Sequence, residues 1–213
     1  ELIRVSKNES PSYKKGSFIQ PHEVSFDNLN NLYVTEMGLG DGKLGGQVTK
    51  ISANNKLIAK IGSDANDGKG LDGPTVSHPA DDGYLYVSEW RADKIIKYNN
   101  ENIIENIIGI KNKKNKNLPD CLNKPHALRL SSKKEIYIAD TENHRVVKFD
   151  NFGKYIGWIG KKEDGTINKD WSAEGNSIPG SEIGAFNSII DLEIFNNEIY
   201  VSEFGNHRIT KIK

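Results

Sequence analysis

His22 and His126 are the residues of this chain best placed by type and context to do chemistry. Each follows a proline, in Pro21-His22-Glu23-Val24 and Pro125-His126-Ala127-Leu128. Neutral imidazole is a common ligand for zinc and copper, and a catalytic zinc takes three protein ligands and keeps one position open. His22, His126 and Asp191 would make such a set, with water activated on zinc or another divalent metal. The bland counterpart is a pair of hydrogen-bonded histidines beside turn prolines. A second constellation repeats as Asn143-His144-Arg145 and Asn206-His207-Arg208, each with its arginine five residues after an acid, Asp140 or Glu203. Carboxylate–guanidinium pairs Asp140–Arg145 and Glu203–Arg208 would pin a turn and leave His144 and His207 as structural turn residues. Cys121 is the lone cysteine, so there is no intrachain disulfide and no Cys-based zinc site. Asp64-Ala65-Asn66-Asp67-Gly68 misses the spacing of a calcium loop. No Gly-x-Ser-x-Gly, phosphate-binding loop or dinucleotide fingerprint is present.

The elements that must carry these residues come from an internal repeat. Leu32-Tyr33-Val34-Thr35-Glu36, Leu85-Tyr86-Val87-Ser88-Glu89, Ile136-Tyr137-Ile138-Ala139-Asp140 and Ile199-Tyr200-Val201-Ser202-Glu203 are short β-branched and aromatic runs ending in a carboxylate. Such runs read as strands. From Tyr33 to Tyr86 to Tyr137 to Tyr200 the steps are 53, 51 and 63 residues. A Pro-led or Ile-led strand precedes each run. A strand with apolar second and fifth places and a lysine at the fourth follows it: Lys50, Lys97, Lys148 and Lys211. Three copies add a further strand. Four strands per unit, here a to d, at this period predict an all-β propeller of antiparallel blades. The units span about 18–62, 72–109, 122–160 and 186–213 and form one domain over 1–213. The last unit stops after strand c. Residues 1–6 resemble a strand d and are expected to complete that blade, which closes four blades and covers an edge; the alternative is part of a larger ring.

Strands alternate in direction within a blade, so the d–a and b–c connections emerge at one end. The longest connections lie there, Met37 to Gly46 and Lys161 to Ser188, and long loops on a rigid scaffold often carry binding residues. His22, Thr75 and His126, with Asp191 beside the fourth equivalent place, fall at the start of strand a, at the mouth of a central channel. Trp90 follows strand b of the second unit, and Trp171 lies in the 161–188 connection. A ligand on this long-loop face would meet His22, Thr75, His126, Trp90, Trp171 and Asp191, with Tyr13 nearby.

Charge narrows the partners. Lys and Arg number 29, as do Asp and Glu, so the formal net charge is zero. Nucleic acid is disfavoured, because non-specific affinity comes from excess positive charge. The one basic run, Lys111 to Lys116, leaves RNA as a third reading. It has no neighbouring aromatic residues for base stacking. No apolar run is long enough to span a membrane.

The Asn-His-Arg elements after an acid-ended strand, with the upstream Pro-x-x-Val/Leu, resemble the NHL-repeat family of β-propellers over about Phe18 to Ile212. The third unit fits best. The first departs, with Gly45-Gly46-Gln47 in place of Asn-His-Arg, and the second has Ala92-Asp93-Lys94. The Pro-His and Ala-Asp-x-Glu-Asn-x-Arg elements are also similar to peptidyl-hydroxyglycine amidating lyases, NHL-type propellers whose zinc is held by three strand-a histidines. Only His22 and His126 match that set. The resemblance implies a scaffold that serves both binding proteins and enzymes. The first expectation is a non-catalytic module that binds a protein, peptide or glycan without a cofactor, as a monomer or weak oligomer, in the periplasm or secreted. The second is a metal-dependent lyase or hydrolase.

Overall fold

The computed structural model of the chain describes residues 18–39, 45–63, 70–109, 119–172 and 175–213. The expected N-terminal strand over 1–6, Tyr13, the Asp64–Gly68 segment and the Lys111–Lys116 run lie outside the described residues. Apart from one 3-10 turn at Thr141–Asn143, the named elements are strands.

The first sheet runs β1 (Pro21–Phe26), β2 (Leu32–Glu36), β3 (Gln47–Ile51), β4 (Leu57–Ile61). The second runs β5 (Pro74–Pro79), β6 (Leu85–Glu89), β7 (Lys94–Tyr98), β8 (Ile104–Ile108). The third runs β9 (Pro125–Leu130), β10 (Ile136–Asp140), β11 (Arg145–Phe149), β12 (Tyr155–Lys162). It continues outward through β13 (Ile167–Ser172), and β14 (Ser177–Ile178) also pairs with β12. The fourth has β15 (Ile189–Phe195), β16 (Glu198–Glu203) and β17 (Arg208–Ile212). Each sheet is an antiparallel meander of sequence neighbours, as short hairpin connections favour. These are the blades of a four-blade β-propeller. By Cα proximity the chain divides into two compact units, Glu1–Ala92 with Tyr98–Ile104, and Asp93–Lys97 with Glu105–Lys213. Each is described by itself.

In the first unit Val34, Val48, Ile61, Leu71, Val76 and Val87 are buried. Strands β1 and β2 meet β5 through polar groups: Ser25 Oγ donates to the Ser77 carbonyl at 2.7 Å, and Thr35 Oγ1 to Ser77 Oγ at 2.8 Å. In the second unit Leu128, Ile138, Val146, Val147, Trp158, Phe186, Ile189 and Val201 are fully buried. Each such side chain contributes about 1.5–3 kcal/mol relative to exposure.

The acid that ends each b strand has one structural job in all four blades. Its carboxylate accepts the backbone N–H of the segment entering the same blade: Ile19 to Glu36 at 2.7 Å, Asp72 to Glu89 at 2.6 Å, Asn123 to Asp140 at 2.7 Å and Asn187 to Glu203 at 3.2 Å. This ties the d–a connection to the end of strand b and satisfies donors that would otherwise be buried unpaired. The repeated lysine of strand c is explained as well. Lys50, Lys148 and Lys211 lie over the rings of Tyr33, Tyr137 and Tyr200 at 4.8, 5.3 and 6.0 Å. They pair with Asp27, Glu135 and Glu198 at 3.3, 2.7 and 3.0 Å. Strand b supplies a ring, strand c its cation and the hairpin before strand b the anion.

One expectation is corrected. The Lys161–Ser188 connection is not a loop: β12 extends to Lys162, and β13 and β14 fold back onto it. A structureless connection of that length would strand polar backbone groups. Here they are satisfied by the ladder and by the Asn168 amide, which donates to the Trp158 carbonyl. Ser177 Oγ donates to the Asn143 carbonyl, and the Arg208 guanidinium to the carbonyls of Ser181 at 2.6 Å and Ala185 at 2.7 Å.

Candidate functional site

The third and fourth blades, both in the second unit, enclose a groove of about 390 Å³. The β9–β10 turn supplies Ser131, Ser132, Lys133 and Glu135, and β10 supplies Tyr137. Trp171 comes from β13, Ile194 from β15, Asn197 from the β15–β16 turn, Ile199 from β16, and Ile212 and Lys213 from the end of β17. The volume lies within the range of about 300–1,000 Å³ usual for small-ligand sites.

Trp171 reaches the groove because β13 bulges. Trp158 pairs with Ser172 and Gly160 with Asn168, so β12 advances two residues while β13 advances four. Lys169 to Trp171 stand opposite the single residue Ile159, and such bulges re-aim side chains. The indole stands against Tyr137 with ring centroids 5.3 Å apart and planes at 67°. Lys148 Nζ lies 5.4 Å from the Trp171 ring. Around this cation the charges are settled. The Lys148 contact holds the Glu135 carboxyl below the usual carboxylate range. Burial works against the Lys148 ammonium, but the oxygens of Glu135 and Tyr137 outweigh it and raise its pKa. Burial raises the Tyr137 phenol. At neutral pH the floor is an aromatic pair over an internally paired cation.

The fold makes a counterpart in the first unit. A groove of about 260 Å³ is lined by Asp27, Asn28, Leu29, Tyr33, Lys50, Asp81 and Asn100, among others. It uses the same hairpin, tyrosine and lysine positions. It has no tryptophan, and its rim carries Asp81, which accepts the Asn28 amide at 2.8 Å. A groove between blades is therefore a consequence of the repeat, and Trp171 is what sets the second one apart.

The other residues singled out from the sequence lie elsewhere. His22 is exposed on β1, its Nδ1 2.9 Å from the Thr75 carbonyl oxygen. Thr75 is fully buried on β5, its hydroxyl 2.7 Å from Ser88 Oγ. Trp90 follows β6, is half-buried and donates its backbone N–H to the Gly73 carbonyl at 2.9 Å. These three belong to the first unit. His126 is half-buried on β9 in the second unit, and Asp191 on β15 lies 3.5 Å from the Arg129 guanidinium. Among the described residues no three His, Cys, Asp or Glu side chains group as a metal ion would require.

The acid–arginine elements are ion pairs. Asp140 and Arg145 are both fully buried, with Arg145 Nε 2.8 Å from the carboxylate and an outer guanidinium nitrogen 2.7 Å from the Cys121 carbonyl. Burial pushes the Asp140 carboxyl up; Arg145, the Asn123 N–H and the Asn143 amide pull the other way. Glu203 and Arg208 pair at 2.7 Å. Between Asp140 and Arg145, His144 adopts a left-handed conformation, φ 51°, and its Nδ1 accepts the Ser188 N–H at 3.1 Å. Asp93 at the same place of the second blade, φ 56°, accepts the Lys124 N–H at 2.9 Å. This residue is a tie to the segment entering the following blade. Trp171 was legible as a candidate, but its strand and the other groove residues were missed, because Ile167-Asn168-Lys169-Asp170-Trp171-Ser172 has apolar residues only at 167 and 171 and so lacks the period-2 signal of a strand.

Residues 122–149 match the NHL repeat. No curated protein matches the chain. Solved structures share the fold. A streptogramin B lyase superposes with a TM-score of 0.57 at 12% identity over 90% of this chain and 54% of the other. A catalytically inactive virginiamycin B lyase from Staphylococcus aureus, with quinupristin, gives 0.58 at 12% over 96% and 54%. An auxiliary nutrient binding protein from Bacteroides thetaiotaomicron gives 0.56 at 16% over 87% and 46%. The chain thus spans about half the length of these proteins, and at such identities the likeness is one of fold. No helix of the described residues is long and apolar enough to cross a membrane. With the NHL repeat matched in its third blade and the same strands and acid ties recurring in the other three, the chain is a four-blade β-propeller that carries an NHL repeat.

Proposed function

We propose that this chain is a non-catalytic binding module whose ligand sits in the Trp171 groove. One observation carries the reading: the third blade is extended by a strand whose bulge delivers Trp171 over Tyr137, into a groove that the fold also forms elsewhere without it. Aromatic side chains with a polar rim are how protein surfaces take hold of ligands. The structural likeness to an auxiliary nutrient binding protein is in keeping with a binding role. The lyase likeness is of the same depth, but neither His22 nor His126 lies in the groove.

Intrinsic fluorescence tests the proposal, since the chain has only three tryptophans. Titration with a panel of oligosaccharides and peptides is expected to perturb the emission of the parent protein and of Trp90→Phe, and not that of Trp171→Ala. A ligand that binds Trp171→Ala with parental affinity, measured by calorimetry, moves the site out of this groove. The metal alternative is read separately by elemental analysis of untagged protein purified without a metal column. We expect well under one equivalent of zinc or copper, unchanged by His22→Ala.

A further inference from the structure

Resting on that binding role, we infer that the Trp171 groove takes an acidic saccharide, a sugar chain bearing carboxylates. The two grooves of this chain serve as internal controls for each other. Both are built from an a–b hairpin, the strand-b tyrosine and the neighbouring hairpin. What differs between them is what ligand choice must rest on.

Charge is the first difference. The Trp171 groove has Lys133 and Lys213 at its rim, both exposed. Among the described residues neither has an ion-pair partner. The one carboxylate that lines the groove among the described residues, Glu135, is held by Lys148 at 2.7 Å and accepts the Tyr137 hydroxyl at 3.2 Å. Glu198 lies within electrostatic reach of Lys213 but is already paired with Lys211 at 3.0 Å, so among the described residues positive charge is in excess at the opening and the site is complementary to negative charge. At the other groove the rim residue Asp81 carries the opposite sign.

Shape and chemistry are the second. The Trp171 and Tyr137 rings, with Ile194, Ile199 and Ile212, offer apolar surface that suits the C–H face of a pyranose ring. Ser132 and Asn197 offer a hydroxyl and an amide at the edge, which both donate and accept and so match sugar hydroxyls. Ser131 Oγ is already engaged by the Lys133 and Glu135 N–H groups. A polymer of hydroxylated rings with a carboxylate per ring meets all three features together. An acidic peptide would meet the charge, but would leave the small hydroxyl and amide groups unmatched.

The test uses the full chain with trigalacturonate, its methyl ester and a glutamate tripeptide, followed by calorimetry and tryptophan emission. Trigalacturonate is expected to bind and to weaken about tenfold in Trp171→Ala. It should weaken about fivefold in the Lys133→Gln/Lys213→Gln double variant, since exposed ion pairs are worth little each. Affinity should fall with added salt, and the ester should match the double variant. Equal binding of acid and ester, both lost in Trp171→Ala, overturns the requirement for charge and leaves the groove as a binding site. Binding of the tripeptide alone overturns the sugar class and likewise leaves the binding role. Failure of every ligand here, with no response of Trp171 to the wider panel, removes both.

Discussion

The Trp171 indole meets the Tyr137 ring edge-on at 5.3 Å, and Lys148 Nζ lies within 5.4 Å of both ring centroids. The first ring comes from an added strand and the second from the repeat, so a repeated element has acquired a partner from outside the repeat. Trp171 is only half-buried, and removing it should cost far less than a core cavity. Trp171→Ala is expected to lower unfolding stability by about 1–2 kcal/mol with an unchanged far-ultraviolet spectrum. Trp171→Phe should recover most of it. Chemical denaturation measures both, and a collapse of the fold in Trp171→Ala would make this residue core rather than site.

Asp140→Asn tests the buried pair. The carboxylate accepts the Asn123 N–H at 2.7 Å, the Asn143 amide at 2.9 Å and Arg145 Nε at 2.8 Å. An amide can accept at one atom only, and Arg145 would keep its charge in a fully buried place. A loss of about 3–5 kcal/mol is expected, seen as a lower denaturant midpoint at unchanged slope. Replacing Glu203 by Gln should cost less, because Arg208 is partly exposed.

His144 makes the link between the third and fourth blades sensitive to acid. Burial lowers the pKa of its imidazole, against a smaller opposing pull from Glu142. A depressed histidine contributes stability that is full above the ordinary value of 6.5 and is lost as pH falls through the lower folded value. The Nδ1 lone pair that accepts the Ser188 N–H is then protonated. Stability measured from pH 8 downward should therefore drop below about pH 6.5. His144→Asn tolerates the left-handed backbone and does not titrate, so it should flatten that step. An identical pH profile in the variant would place the sensitivity in another group.

Gly46 explains why the first repeat departs from Asn-His-Arg. Its N–H and carbonyl both pair with Leu71 at 2.7 Å. A Cβ there would press into the Pro74 ring and stand 2.8 Å from the Glu36 carbonyl oxygen. The backbone approaches its neighbour too closely for any side chain. Gly46→Ala is expected to cost about 2–3 kcal/mol, read as a fall in the thermal midpoint. A neutral result would mean that the Gly46–Leu71 contact can open at little cost.

The sequence by itself determined the blades. The β-branched and aromatic run Leu85-Tyr86-Val87-Ser88-Glu89, like its three counterparts, can be buried only by pairing and stacking with neighbours, and the repeat length leaves room for one meander per copy. The acid–arginine spacing was legible for the same reason: five residues across a tight turn bring Asp140 to Arg145 whatever surrounds them. The tertiary structure decided the rest. The acid's second task, holding the entering segment 16 or 17 residues upstream, depends on a backbone N–H, which every residue but proline has and no pattern marks. Trp171 reads as part of a long connection, and only the bulge in β13 turns it onto Tyr137, 34 positions away in the sequence. Local periodicity is written in neighbouring residues, whereas the groove is made of side chains from four separate stretches of the chain, and their meeting is a property of how strands pack.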